Sequence, residues 1–322
     1  MQRVLVVAPN WIGDALMAQP LLARLRENRP GLKVDVLAPE WVAAVARRMP
    51  EVDEVIPVPF RHGALQLASR WRVGRTLKAR KYDEAIVLPN SWKSALVPFL
   101  AHIPLRTGYL GESRYGLLNV LHRKPDRRMR EHYAQLAEAP GNRTRAPLPQ
   151  PCLKVDEAKA AATRDRFGIA QPYAVLCPGA EYGPAKRWPY FAELAPRLPI
   201  PSLLLGSRND ARAAEGVQGR NLVGQTTLDE AIDLIAGARF VVTNDSGLMH
   251  VAAALGRPLV ALFGSSSPQM TPPQSAAGAA SVRIVWLKPE CSPCYERECP
   301  LGHFRCMREM SVDQVLAEVK AL

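Results

Sequence analysis

The first half of the chain alternates short apolar runs with longer segments whose apolar residues recur at helical spacing. Short apolar runs bounded by turn residues predict buried strands, and the longer amphipathic segments predict helices. The predicted strands are Val4–Ala8, Val34–Leu37, Val55–Val58 and Ala85–Leu88, and the predicted helices are Ala15–Arg29, Trp41–Met49 and Leu65–Lys81. Strands separated by helices form right-handed βαβ units, so we expect a parallel sheet covered on both faces.

A basic, proline-rich segment, Arg123–Pro151, interrupts this alternation and is the predicted linker. The alternation then restarts, with predicted strands at Ala174–Cys177, Ser202–Leu205, Phe240–Thr243 and Leu259–Phe263 and predicted helices at Ala158–Phe167, Pro189–Leu198, Leu228–Ala236 and Leu248–Leu255. The predicted organisation is α/β, with domains at 1–150 and 151–310 and a short amphipathic helix at 311–322. Ligands in such folds bind beyond the carboxyl ends of the strands, here in a predicted cleft between two sheets.

The composition is that of a globular protein, because 48% of the 322 residues are apolar and 22% are charged. No stretch reaches the roughly 18 apolar residues of a membrane-spanning helix, and the N-terminal run has no signal-peptide cleavage site. We therefore expect a cytoplasmic protein. The net charge of +12 suits nucleic acid, an anionic membrane face or a phosphorylated substrate, and it also suits a solvated basic surface.

Asp14 follows the first predicted strand, in a run that lacks the G-x-G-x-x-G pattern of an ordinary dinucleotide-binding domain. Two interpretations of this residue are compatible. Asp14 is a candidate N-cap of the first helix, where Asp is favoured. It is also a candidate general base, because a carboxylate at the carboxyl end of a strand points toward the predicted cleft.

A candidate anion site follows strand Ala174–Cys177. The run 178–189 contains two glycines, and Lys186 and Arg187 come just before a helix. Glycines allow the backbone to approach a ligand, and cations beside a helix N-terminus suit a diphosphate. The alternative is that both cations are simply solvated.

A second candidate anion site follows strand Phe240–Thr243, where the backbone N–H groups of Ser246 and Gly247 begin a helix of small residues. His250 lies on the same helix face as Ser246, four residues earlier. A lone histidine there is more often structural, but its polar neighbours favour ligand contact.

These motifs resemble the bacterial ADP-heptose:lipopolysaccharide heptosyltransferases. The resemblance rests on Gly13-Asp14, on Pro178–Glu181 with Ala185–Pro189, and on Thr243–Ala254, while Gly264–Pro268 with Thr271–Pro273 is similar to the heptosyltransferase II branch. It implies the GT-B fold, in which two Rossmann-like domains face each other across a cleft and bind the acceptor and the nucleotide sugar respectively. It also implies inverting transfer of heptose from ADP-L-glycero-β-D-manno-heptose to the first heptose of the lipopolysaccharide inner core.

The resemblance further implies individual roles. Asp14 would take the proton of the acceptor hydroxyl, and Lys186 would neutralise the leaving diphosphate. A lysine and a helix terminus can stabilise this charge, so we expect no obligatory catalytic cofactor. The other predicted donor-binding residues are Glu181, Trp188, Ser207, Thr226, Asp245, Ser246, Gly247, Met249 and His250. The predicted acceptor-binding residues are Asn10, Arg61, His62 and Asn90. Arg61 and His62 are chosen because they follow a strand of the first domain and could contact an anionic inner core, and the alternative is a loop arginine beside a partly exposed histidine.

The expected partners are ADP-heptose and a lipid-linked inner-core lipopolysaccharide acceptor. The predicted helix Leu65–Lys81 carries cations at Arg70, Arg72, Arg75, Lys78, Arg80 and Lys81. These cations either form a solvated helix face or make a peripheral contact with the anionic cytoplasmic face of the inner membrane.

Four of the six cysteines form the series Cys291-x2-Cys294-x4-Cys299-x6-Cys306, with His303 inside it. This spacing is typical of a structural Zn²⁺ site, which the resemblance does not explain. The alternative is free or redox-labile thiols.

Two further functions compete with the glycosyltransferase. A basic nucleic-acid-binding protein with a zinc-like module would explain the charge and the cysteines, but no aromatic-basic RNA motif or helix-turn-helix is present, so we expect no nucleic-acid partner. A nucleotide-sugar epimerase of the same fold would act on the donor without a lipid acceptor.

Overall fold

The computed structural model describes residues 2–61, 63–124 and 128–322. The chain separates into two compact units, residues 1–150 and residues 151–322. Each unit contains a six-stranded parallel sheet with helices between its strands, which confirms the predicted α/β class. Parallel strands are buried on both faces, as their continuous apolar runs require.

The strands of unit 1 (residues 1–150) are β1 (Arg3–Val7), β2 (Lys33–Pro39), β3 (Glu54–Val58), β4 (Glu84–Val87), β5 (Leu105–Tyr109) and β6 (Val120–His122). Their order in the sheet is β3-β2-β1-β4-β5-β6. Its helices are α1 (Ile12–Met17), α2 (Gln19–Asn28), α3 (Glu40–Arg47), α4 (Leu67–Lys78), α5 (Leu96–Leu100) and α6 (Met129–Ala134). The chain order reverses where β1 pairs with β4, and ligands in open parallel sheets bind at such a switch point.

Helices α4 and α5 pack against each other beside the core of unit 1. Gly74 makes this approach possible, because a Cβ at that position would lie 2.7 Å from the Cβ of Leu100. Leu77 of α4 and Val97 of α5 are buried in the same cluster as Leu5 and other strand residues. The opposite side of α4 is exposed to solvent.

The strands of unit 2 (residues 151–322) are β7 (Ala174–Cys177), β8 (Ser202–Leu204), β9 (Arg220–Asn221), β10 (Phe240–Asn244), β11 (Leu259–Phe263) and β12 (Val282–Trp286). Their order in the sheet is β12-β11-β10-β7-β8-β9. Its helices are α7 (Glu157–Phe167), α8 (Phe191–Leu194), α9 (Leu228–Ala236), α10 (Gly247–Ala254), α11 (Arg305–Arg308) and α12 (Val312–Lys320). The terminal helix α12 packs on β11 and β12, and Val315 and Val319 share a core with Trp188 and Phe191.

The first predicted helix differs from the structure at its start and in its middle. It is two helices, α1 and α2, with a break at Ala18 just before Pro20. The N-cap of α1 is Trp11, and Asp14 is the third residue of the helix. The prediction that Asp14 is the N-cap was therefore wrong, although its place in the first turn still favours a negative charge.

The predicted linker is largely part of unit 1. Helix α6 lies within it and packs on α2, and the guanidinium of Arg24 donates to the carbonyls of Arg145 and Pro147. Residues 125–127 of this segment lie outside the described residues. Every helix in the described ranges falls short of the length and apolarity needed to span a bilayer.

Candidate active site

The switch point of unit 2 brings two predicted loops together. Strands β7 and β10 pair in parallel, so the chain leaves both at the same edge of the sheet. Asn244, which is fully buried, joins the two exits: its amide nitrogen donates to the carbonyl of Pro178 at 2.7 Å, and its amide oxygen accepts the backbone N–H of Trp188 at 3.1 Å. We call residues 178–188 the lysine loop.

Lys186 of the lysine loop forms an ion pair with Asp245, with 2.5 Å between its Nζ and a carboxylate oxygen. The same oxygen accepts the hydroxyl of Ser266 at 2.5 Å. Ser266 lies in the loop after β11, residues 264–267, which we call the serine loop. The loops after the adjacent strands β7, β10 and β11 thus supply Lys186, Asp245 and Ser266 respectively. Both members of the ion pair are largely buried.

Helix α10 begins beside this ion pair. Ser246 is its N-cap, and in the described structure no side chain caps its first turn. Backbone N–H groups at a helix start attract anions, and Lys186 adds a positive charge next to them. The arrangement suits a phosphate or diphosphate group.

Three predicted donor residues around α10 are buried. Met249 and Trp188 are enclosed in the interior, and the indole N–H of Trp188 donates to the carbonyl of Met310 at 2.8 Å. Burial lowers the pKa of His250 to about 4, a shift that Asp245 opposes and Lys186 reinforces. His250 is therefore neutral near pH 7 and adds no charge to the site.

Ser207 and Thr226 lie after β8 and β9, at the same edge of the sheet. The backbone N–H of Gly224 donates to the carbonyl of Gly206 at 3.0 Å and links the two loops. Glu181 accepts from the amide of Asn209 at 3.4 Å. The structure therefore places Glu181, Ser207 and Thr226 along the edge that also holds Lys186.

Asp210 belongs to this edge and was missed by the sequence analysis. One carboxylate oxygen accepts the backbone N–H and the hydroxyl of Ser207, both at 2.8 Å. The other oxygen is buried and has no hydrogen-bond partner in the described part of the chain. The carboxyl group stands against Gly179, where a Cβ would lie 2.0 Å from its carbon. The Ser-x-x-Asp spacing after β8 is a capping-box signal that could have revealed it.

In unit 1, Asp14 is half-buried in the first turn of α1, directly after β1. Tyr133 of α6 is its electrostatic neighbour. Burial raises the pKa of the Tyr133 hydroxyl well above its usual value, and the Asp14 carboxylate adds to that rise. Asp14 therefore lies at the carboxyl edge of β1, as a general base at this switch point would.

A cavity of about 340 Å³ lies at the carboxyl ends of the first four strands of unit 1. Its lining includes three predicted acceptor residues, Asn10, Arg61 and Asn90. The fourth, His62, lies outside the described residues. Lys93 also lines the cavity; the polar run that follows predicted strand Ala85–Leu88 was the signal that could have identified it.

Arg70 supports the wall of this cavity. It is buried, with its guanidinium 4.2 Å from the centre of the Phe60 ring, and it donates to the carbonyls of Leu65 and Lys93 at 2.6 and 3.1 Å. Burial lowers its pKa from the usual value. The cavity thus combines cations, amides and hydroxyls, which suits a polar, anionic ligand.

The Cys-rich loop, residues 291–306, contains four free cysteines that differ in exposure. Cys299 Sγ accepts the backbone N–H of Phe304 at 3.4 Å and lies 3.8 Å from Nδ1 of His303. Cys306 is buried, and burial raises its pKa to about 11. Among the described residues, no three His, Cys, Asp or Glu side chains converge as a metal-binding group. The zinc site stays a prediction.

Residues 70–305 match the family model of glycosyltransferase family 9 (heptosyltransferase). The chain is 44% identical to lipopolysaccharide heptosyltransferase 2 of Escherichia coli K12, over 99% of this chain and 98% of that protein. It is 43% identical to lipooligosaccharide heptosyltransferase 2 of Haemophilus influenzae, over 88% and 89%.

Two solved structures are similar to the fold described above. One is the E. coli ADP-heptose lps heptosyltransferase II, with a TM-score of 0.87 and 40% identity over 100% of this chain and 98% of that one. The other is E. coli heptosyltransferase WaaC with ADP, with a TM-score of 0.71 and 25% identity over 98% and 99%.

Proposed function

The chain belongs to glycosyltransferase family 9, the heptosyltransferases, and from this premise we propose that it transfers heptose from ADP-L-glycero-β-D-manno-heptose to the first heptose of the lipopolysaccharide inner core. The family and the enzyme class predicted from the motifs are confirmed. The observation that carries the proposal is the Lys186–Asp245 pair at the start of α10, in a chain similar over its full length to heptosyltransferases 2.

The donor diphosphate is assigned to the start of α10. Lys186 supplies a positive charge, and the first backbone N–H groups of α10, at Ser246 and Gly247, supply hydrogen-bond donors. Negative charge grows on the leaving diphosphate in the transition state. Asp245 holds the ammonium group of Lys186, and Ser266 holds Asp245, so the lysine is in position before the charge develops. A metal ion is not required for this role.

The adenosine is assigned to the neighbouring edge of unit 2, at Glu181, Ser207 and Thr226. Asp210 supports this assignment. One of its carboxylate oxygens is buried and has no hydrogen-bond donor among the described residues, and a ribose hydroxyl could donate to it. Gly179 makes room for the carboxyl group itself, because a Cβ at that position would lie 2.0 Å from the carboxyl carbon of Asp210.

Asp14 is the proposed general base. The acceptor hydroxyl oxygen attacks C1 of the heptose while the bond from C1 to the diphosphate oxygen breaks, and ADP leaves with that electron pair. The hydroxyl proton passes to the Asp14 carboxylate. A single displacement of this kind inverts the anomeric centre and needs one base and one stabilised leaving group.

The acceptor sugar is assigned to the unit 1 cavity, which holds Arg61 and Lys93 with Asn10 and Asn90. An inner-core acceptor is anionic, so the cations of the lining give charge complementarity and the amides give hydrogen bonds to sugar hydroxyls. Asp14 and this cavity both lie at the carboxyl edge of the unit 1 sheet.

The test is one assay with ADP-heptose and a defined mono-heptosylated inner-core acceptor. We expect acceptor-dependent release of ADP and a product heavier by one heptosyl residue. Donor epimerisation or hydrolysis that proceeds equally well without acceptor would instead favour the epimerase. Binding of random DNA at physiological salt, with no response to ADP, would favour the nucleic-acid-binding protein.

Peripheral contact with an anionic membrane is proposed for the exposed face of α4 and α5. Leu67, Trp71, Arg75 and Lys78 follow one another at helical spacing on α4, and all four are exposed. The guanidinium of Arg75 lies 5.3 Å from the centre of the Trp71 ring. An apolar and aromatic stripe edged by cations is typical of a surface that lies in a lipid interface.

The charge around this face supports the same partner. The sequence contains no Asp or Glu between residues 55 and 82 or between residues 85 and 111. Phe99 of α5, which packs on α4, is also exposed. Arg70 and Lys93, from the same part of unit 1, contribute to the acceptor cavity. A lipid-linked acceptor would therefore be presented beside the surface that meets its membrane.

A structural zinc ion is proposed for Cys291, Cys294, Cys299 and Cys306, with His303 as a substitute ligand. Their spacing supports it, and so does the hydrogen bond that Cys299 Sγ accepts from Phe304, because backbone donors of this kind stabilise a thiolate ligand. Zinc binding would draw the thiols together, since Zn²⁺ takes four ligands at about 2.3 Å from sulfur.

A further inference from the structure

The Cys-rich loop contacts the lysine loop directly. The backbone N–H of Ala185 donates to the carbonyl of Arg297 at 3.1 Å, and the hydroxyl of Tyr182 donates to the carbonyl of Tyr295. Gly183 permits this approach, because a Cβ there would lie 2.4 Å from the carbonyl oxygen of Arg297. The backbone next to Lys186 is thus fixed by the Cys-rich loop.

The ring of Tyr182 connects a cation of each loop. The Nζ of Lys186 lies 4.7 Å from the ring centre, and the guanidinium carbon of Arg297 lies 5.3 Å from it. Both distances are within the range of cation–π attraction. The ring therefore restricts the Lys186 side chain from one direction while Asp245 holds its ammonium group from another.

The Cys-rich loop also holds the serine loop. The hydroxyl of Ser292 donates to the carbonyl of Gly264 at 2.6 Å, and the backbone N–H of Tyr295 donates to the carbonyl of Ser265 at 2.7 Å. The next residue, Ser266, donates to Asp245. Both partners of the Lys186–Asp245 pair are therefore supported by the same segment.

We propose that the Cys-rich loop positions Lys186 for the donor diphosphate, with Tyr182 as the positioning residue between them. This rests on the proposed function, which assigns the diphosphate to Lys186. It gives the loop a role in donor binding that holds whether or not its cysteines bind a metal. Tyr182 acts through Lys186 and contacts no reacting atom.

Two substitutions at Tyr182 separate its ring from its hydroxyl. Tyr182→Leu removes the ring, and we expect the Kd for ADP and the KM for ADP-heptose to rise roughly three- to thirtyfold, the range of one cation–π contact. The KM for the acceptor should not change. Tyr182→Phe keeps the ring and should restore donor binding to within about threefold of wild type.

Arg297→Gln should weaken ADP binding in the same direction as Tyr182→Leu. Arg305→Gln is the matched control, because Arg305 is an exposed arginine of the same loop that pairs with Glu309. It should leave the Kd for ADP unchanged. The Kd is measured by calorimetry, and melting temperatures are recorded for every variant.

A folded Tyr182→Leu variant with the wild-type Kd for ADP would overturn the proposal. If Tyr182→Leu does not fold, Arg297→Gln takes its place, and a wild-type Kd for ADP in that variant would overturn the proposal. A purely structural role would lower the melting temperature without moving the Kd. If the wild-type enzyme does not bind ADP, the proposed function fails first, so the two failures are distinguishable.

Discussion

The ammonium nitrogen of Lys186 lies 2.5 Å from a carboxylate oxygen of Asp245, although 59 positions separate the two residues in the sequence. The sheet order causes this contact, because β7 and β10 are neighbours and release their loops at one edge. The pair orients the lysine before a ligand arrives. Loss of Lys186 would leave the Asp245 charge uncompensated beside a diphosphate.

Replacement of Lys186 tests the donor site. Lys186→Ala should lower kcat/KM for ADP-heptose by about ten- to a hundredfold, because a charge-assisted contact is worth roughly 1.5–3 kcal/mol. The double variant Lys186→Ala/Asp245→Asn should recover part of that loss by removing the repulsive carboxylate. Steady-state kinetics with varied donor provide the measurement. Wild-type kinetics in a folded Lys186→Ala enzyme would reject the assignment.

Asp14→Asn tests the proposed base. Asn keeps the shape of the side chain but cannot take the acceptor proton, so kcat should fall by about 10²–10⁴. Stability should change by under ~1 kcal/mol, the size of a charge interaction with a helix dipole. Glu157→Gln, which removes an exposed carboxylate from the first turn of α7, is the matched control. Turnover above a tenth of wild type would return Asp14 to a structural role.

Three elements with clean apolar patterns could be predicted from the sequence to the residue. Strands β7 and β11 and helix α9 match their predicted bounds, because continuous or amphipathic apolar runs end there at turn residues. Strand β5 was missed because Leu105–Tyr109 includes arginine, threonine and glycine and carries no apolar run. Strand β9 has two residues, too few to give a pattern.

The candidate site could be predicted only in part, because local sequence signals mark single residues but not the contacts between them. The loops after β7 and β10 carry local signals, so Lys186 and Asp245 were both singled out. Their contact depends on the sheet order, which local patterns do not encode. The same is true of Tyr182, whose importance comes from Arg297 of a distant loop.

Burial of His250 predicts a loss of stability in acid. Its pKa is lowered from 6.5 to about 4 in the folded protein, so the unfolded chain binds more protons between these values. The stabilising contribution is complete above pH 6.5 and is lost as pH falls toward 4. Between pH 7 and pH 5 this histidine should cost about 2 kcal/mol of unfolding free energy.

His250→Gln should flatten that pH dependence, while His102→Gln, at an exposed histidine, should not. Urea unfolding at pH 7 and pH 5 measures the difference. If the free energy of unfolding fell equally in wild type and in His250→Gln between pH 7 and pH 5, the imidazole would already be solvated in the folded state.

Zinc content tests the cysteine assignment. Protein purified without a metal-affinity tag should carry about one Zn²⁺ per chain, because four thiols at this spacing match a structural site. Cys299→Ser should lower that content, and Cys152→Ser, at a cysteine outside the Cys-rich loop, should not. Elemental analysis gives the result. Less than a tenth of an equivalent in wild type would mean that the thiols are free.

Vesicle binding tests the exposed face of α4. A triple substitution of Arg72, Arg75 and Lys78 to Gln should weaken binding to vesicles containing anionic phospholipid by about two orders of magnitude, since each cation near such a surface contributes about 1 kcal/mol. Wild-type binding should weaken with added salt and be slight on purely zwitterionic vesicles. Sedimentation with vesicles of both compositions is the measurement.

The control must remove the same charge from another surface. Lys154, Lys159 and Arg166 are exposed cations of unit 2, and their substitution to Gln lowers the net charge equally. If binding followed net charge alone, both triple variants would lose it to the same extent, and the α4 face would have no special role. Trp71→Ser separates the apolar contribution, because it leaves every charge in place. This variant should bind vesicles more weakly than wild type by the same factor at low and at high salt, since burial of an aromatic ring in the interface does not depend on ionic strength.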